Sequence, residues 1–78
     1  MPWLVTHTGE ALNIEHVQRL YADKTKVRAV IAGFPVNVAV DLATDVAQRI
    51  LRTIIDEVVQ GVSVEVVGEE VRRLTSLR

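Results

Sequence analysis

The side chains best suited to hold a metal or move a proton are two histidines, His7 and His16, with Glu10 and Glu15 close to them in sequence. A tetrahedral metal site needs convergent ligands, and H-x-H on a strand or H-x-x-x-H on a helix is the spacing that aims two imidazoles at one point. Neither spacing occurs, so both histidines read as surface or turn residues. Cysteine is absent, which removes disulfides, zinc ribbons, thiolate nucleophiles and redox switching in one step. No Ser-His-Asp constellation, distinctive carboxylate pair, Gly-rich phosphate loop or Walker-type lysine is present. The expectation is therefore a protein without catalytic residues, metal or cofactor.

The densest basic cluster is Lys24, Lys26 and Arg28, with Lys26 and Arg28 on one face if the segment is a strand. It has two readings. One is a weak nucleic-acid patch. The other, which we favour, is a solvated hairpin whose charges discourage strand addition at a sheet edge. Nine Lys and Arg against ten Asp and Glu leave a formal net charge of −1, so no global field draws nucleic acid or anionic lipid. The aromatics are Trp3, Tyr21 and Phe34 alone, a thin supply for stacking bases, and Trp3 and Tyr21 are expected as core or interface anchors.

These residues are positioned by a chain of 78 residues, in which the clearest signal is a change of period between Val36 and Gln60. Val36, Val38, Val40 and Leu42 alternate as in a strand; from Val46 the apolar residues recur at helical spacing through Val59. Upstream, Trp3 to His7 reads as a strand ending at Thr8-Gly9. Asn13 caps a brief helical turn at 14–16, a strand follows from 17 to 22, and Asp23-Lys24-Thr25 turns the chain into a second strand from Lys26 to Ala32. Ala32-Gly33-Phe34-Pro35 is the next break. These four strands predict an antiparallel meander.

The helix over 44–60 takes Thr44 as N-cap, Asp45 at the positive end of its dipole and Gly61 as its stop. Its apolar residues sweep about 220° of the circumference, more than one sheet requires. The polar arc, with Asp45/Arg49 and Arg52/Asp56 at pairing distance, is solvated. The tail has two readings. Val62, Val64 and Val66 form a fifth strand, with a turn at Gly68 and a short helix over 69–77; or Ser63 caps one longer helix containing Val64, Val67, Val71 and Leu74.

The expected fold is α+β: a four-stranded antiparallel meander packed by one amphipathic helix, with a C-terminal strand and/or short helix. Residues 1–78 are expected to form a single small domain, with the meander over 3–42, the main helix over 44–60 and the tail over 62–78. A domain of this size buries only about 60 to 65% of its unfolded surface, so a second subunit would ease a thin core. Ile50, Leu51, Ile54, Ile55, Val58 and Val59 are the candidate oligomer interface, and a homodimer is the expected assembly. No leader-like N-terminus and no apolar run near the ~18 residues of a membrane span is present, which suits a soluble protein with the cytosol as its simplest compartment.

Two resemblances add to this reading. Trp3-Leu4-Val5-Thr6, Gly9-Glu10, Leu12-Asn13-Ile14 and Val17, followed by a hairpin and the helix bearing Ala47-Gln48 and Ile50-Leu51, are similar to short uncharacterised bacterial proteins that pair a small meander with a C-terminal helix. That resemblance implies a fold and no activity. The order of strand 36–42, helix 44–60, Gly61-Val62-Ser63 and the segment Val66 to Leu74 resembles a ribbon-helix-helix DNA-binding unit, which would place Asn37, Ala39 and Asp41 in the major groove. Asp41 would repel phosphate there, and no Lys or Arg stands on that ribbon. The favoured expectation is a non-enzymatic, self-associating interaction module, and a DNA-binding regulator is its alternative.

Overall fold

A computed structural model describes residues 2–74 as an α+β fold of two sheets and one helix. In chain order the elements are β1 (Trp3–Val5), β2 (Ala11–Asn13), a 3-10 turn at Ile14–His16, β3 (Val17–Asp23), β4 (Lys26–Ile31), β5 (Phe34–Ala39), α1 (Thr44–Val59), β6 (Val64–Val67) and β7 (Glu70–Arg73). The antiparallel meander is β3-β4-β5, three strands rather than four. The N-terminal strand leaves it for a second, mixed sheet of order β2-β1-β6-β7, in which β1 and β6 run parallel.

Local chemistry explains the meander. Asn13 accepts a hydrogen bond from the Glu15 amide at 3.0 Å, which starts the 3-10 turn and delivers the chain into β3. Lys24 and Thr25 form a two-residue loop closed by Asp23 opposite Lys26, with Lys24 at φ 54°. Ala32 and Gly33 form the next, closed by Ile31 opposite Phe34, with φ 53° and 82°, the paired left-handed geometry that matches strand twist. Pro35 is accommodated because β5 is an edge strand with no ladder bond to donate on its outer side. The expected strand over 36–42 ends at Ala39, since Asp41 turns left-handed at φ 57°. Leu42 still returns to the core, 5% exposed, with its amide bonded to the Thr25 carbonyl at 3.0 Å.

α1 begins after Ala43, which offers no side-chain cap, so Thr44 is the first helical residue and not the N-cap. Its other end is a Schellman closure: the Gly61 amide donates to the Val58 carbonyl at 2.9 Å and the Val62 amide to the Glu57 carbonyl at 3.0 Å, with Gly61 at φ 77°. Neither helical reading of the tail survives over the described residues. Residues 64–73 are a hairpin turning at Gly68, φ 59°, in which Val64 and Val66 face the core and Glu65 and Val67 face away. A valine-rich segment facing a sheet edge gains ladder bonds that a helix interrupted by Gly68 cannot offer. Residues 75–77 of the expected helix lie outside the described residues.

Leu4 and Leu12 from the mixed sheet meet Val27, Ala29 and Val38 from the meander and Ala47, Ile50 and Ile54 from α1 in one cluster. α1 lies over β3 and β4 and also touches β6 and β7, so it bridges both sheets. Ala32 holds a left-handed conformation that disfavours any residue with a Cβ but suits Asn. Ala32→Asn is expected to raise stability by about 0.5 to 1 kcal/mol, read from the urea unfolding midpoint. An unchanged or lower midpoint would contradict this turn geometry.

Candidate functional site

The surface with the most to offer another molecule lies where β3 runs beneath the outer flank of α1. Taking about 100° per residue, the fully buried positions Ala47, Ile50 and Ile54 fill a sector of about 60°, and Ile55 and Val59 lie about 110° and 150° from its middle. Ile50 and Ile54, expected at an interface between copies, are thus part of the chain's own core, 2% and 0% exposed. Leu51 and Val58 are half-buried; Ile55 and Val59 are 40% and 80% exposed. The opposite side of the helix carries an ion pair. Glu57 receives two hydrogen bonds from the Arg73 guanidinium on β7, through Nε and through Nη2, the latter at 2.9 Å. That bonding holds the Arg73 pKa above its usual value.

Beneath the exposed flank is a groove of ≈ 300 Å3. Ile14 of the 3-10 turn and Val17, Gln18, Arg19 and Leu20 of β3 form one side, and Ile55, Val58 and Val59 of α1 the other. A larger depression, ≈ 530 Å3, is lined by α1 residues alone, among them Gln48, Arg49, Arg52 and Asp56; Ile55 belongs to both. The two-element groove is the better candidate because a ligand there would meet apolar side chains and free backbone together.

That backbone is the outer edge of β3. Asp23 and Lys26 close a two-residue hairpin, so Asp23, Tyr21 and Arg19 exchange their backbone bonds with β4, and the amides and carbonyls of Leu20 and Ala22 point outward. Among the described residues no strand pairs with this edge. The other edges are blunted: β5 carries Pro35 and has its Val38 carbonyl taken by the His7 amide at 2.9 Å, β2 spans three residues, and β7 is short and charged. β3 has seven residues, with one irregularity where Gln18 bulges near its start and accepts from the Gly33 amide at 2.9 Å.

The chemistry-bearing residues are dispersed. His7 sits on the exposed β1–β2 loop and His16 on the 3-10 turn, and among the described residues no three His, Asp or Glu side chains gather as metal ligands. Lys26 and Arg28 do share the outer face of the meander, with Lys24 at the adjoining turn. The structure adds what spacing alone did not show: Arg19 and Tyr21 stand on that same face, the Arg19 guanidinium carbon 4.9 Å from the centre of the Tyr21 ring, and Arg28 directly opposite Tyr21. Neither Trp3 nor Tyr21 belongs to the core. Asn37, placed by the ribbon-helix-helix resemblance as a base reader, is bonded to Arg28 Nε at 3.0 Å, Ala39 is buried, and β6-β7 replaces the second helix. No described helix is long and apolar enough to cross a membrane.

Comparison with protein-family models, curated proteins and solved structures finds no match in any of the three. The division of α1 into core and outer flank is testable directly. Ile54→Ala is expected to cost about 2 to 5 kcal/mol in unfolding free energy, and Val59→Ala less than about 0.5 kcal/mol. Equal costs in chemical denaturation would refute the roll of the helix.

Proposed function

We propose that this protein is a non-enzymatic, self-associating interaction module whose contact surface is the free edge of β3 together with the outer flank of α1, and that the assembly is a homodimer. The observation that carries the reading is the juxtaposition of a seven-residue strand, whose outer edge has no partner among the described residues, with a mainly apolar groove beside it. An exposed edge is a template for strand pairing, and natural folds ordinarily protect it. Here the protection is spent on the other three edges. An apolar flank beside the edge adds hydrophobic burial to backbone pairing, which is the combination a specific interface needs. The cytosol suits a chain without cysteine, which needs no oxidising compartment.

Nucleic-acid binding is the second reading, and Tyr21 is the observation that favours it. A ring flanked by Arg19 and Arg28, with Lys26 beside it, is the pairing of a stacking platform with phosphate-directed charge. This reading uses the open face of the meander rather than the 36–74 segment.

Light scattering at micromolar concentrations is expected to give twice the chain mass, and Val59→Glu or Ile55→Glu to give a folded monomer, since neither side chain is enclosed by its own core. A wild-type monomer at every concentration would overturn the first reading. Retention on heparin or single-stranded DNA that falls steeply with added salt would favour the second, and no retention at low salt would remove it.

A further inference from the structure

We infer that the partner on this edge is a second copy of the same strand, paired antiparallel about a two-fold axis at Tyr21, so that Arg19 of each copy faces Asp23 of the other and the two meanders become one six-stranded sheet. The inference rests on the self-association proposed above and specifies its register.

Backbone geometry limits the choice. The outward groups belong to Leu20 and Ala22, and an antiparallel mate must present outward groups to them. An axis at Leu20 pairs Leu20 with its own copy; an axis at Tyr21 pairs Leu20 with Ala22. Both satisfy the ladder and keep Leu20 and Ala22 on the helix side. Charge separates them. With the axis at Leu20, Arg19 faces Tyr21 and Asp23 faces Val17, which leaves both charges unmatched across the seam. With the axis at Tyr21, Arg19 faces Asp23 twice by symmetry. Opposite charges directly across a strand pair stabilise it, and like or unmatched charges do not. Both groups are available, because among the described residues neither belongs to an ion pair within its own chain.

α1 packs on β3 and β4, so a mate added outside β3 brings a second copy of the helix to the same face of the extended sheet. The residues on the facing flank are Ile55 and Val59, the two large apolar side chains of α1 that its own sheets leave exposed. The ladder allows this register and the charge pairs select it, with the two α1 helices antiparallel on one face of the sheet.

The chain has no cysteine, so one introduced thiol reads the register directly. Tyr21 opposite its own copy is a non-hydrogen-bonded position with Cα atoms about 4.5 Å apart, inside the 4.4 to 6.8 Å span of a disulfide. Tyr21→Cys is expected to give a disulfide-linked dimer under mild oxidation, and Thr25→Cys, whose copies lie far apart in this register, to give none. Arg19→Asp or Asp23→Arg alone is expected to raise the dimer dissociation constant about tenfold to a hundredfold, and the double variant R19D/D23R to restore it. The swaps leave Tyr21 in place and test the register even if the thiol variant folds poorly. A wild-type dimer that shows neither the Tyr21→Cys cross-link nor charge rescue would overturn this register and leave self-association standing. A wild-type chain that stays monomeric would overturn both.

Discussion

The parallel pairing of β1 with β6 is the constraint on which the rest of the structure depends. It joins Leu4 to Val64 and Val5 to Glu65 across sixty residues of chain, and Leu4 and Val64 are both fully buried. Ser63 secures the joint. Its hydroxyl accepts the Trp3 amide at 2.8 Å and its carbonyl accepts the Leu74 amide at 2.9 Å, so one buried residue ties the first strand to the beginning and end of the last hairpin. The pairing closes a loop over that distance, and the entropy of closing it grows only slowly with its length. Without it the mixed sheet would be two isolated hairpins, neither stable alone.

Closure of the mixed sheet decides how α1 sits. β7 is carried to the side of the helix where Glu57 points, and the Arg73 guanidinium donates twice to Glu57 there, a contact made at the surface. The apolar arc of the helix is wider than its cover, and the burial of Ala47, Ile50 and Ile54 sets which part is covered. Ile55 and Val59 lie outside the covered sector, beside β3.

The open face of the meander shows the opposite economy. Lys26, Arg28, Arg19 and Tyr21 are brought onto one side of the sheet by strand alternation and hairpin register, while the histidines are held on separate loops. Cations on a solvated sheet face are weakly coupled to stability. Their contacts are made within that face: Arg28 donates to Asn37 and the Arg19 guanidinium lies over the Tyr21 ring.

The local sequence by itself determined the elements whose reasons are local. Asn13 and the 3-10 turn, the hairpin around Lys24-Thr25, the break at Ala32-Gly33, and the helix stopped by Gly61 all depend on residues within a few positions of one another. The apolar excess of α1 was legible for the same reason, since it is a matter of period. What only the tertiary structure decided is everything that depends on residues far apart: the departure of β1 from the meander, the three-residue β2, the hairpin over 64–73, and which part of the apolar arc is spent inside. Ile50 and Ile55 are alike in type and both lie on the apolar arc, and only the position of the sheets makes one core and the other surface. The segment from Val64 to Arg73 carries both alternation and helical spacing, and the edge of β1, sixty residues away, resolved it by offering backbone partners to a strand.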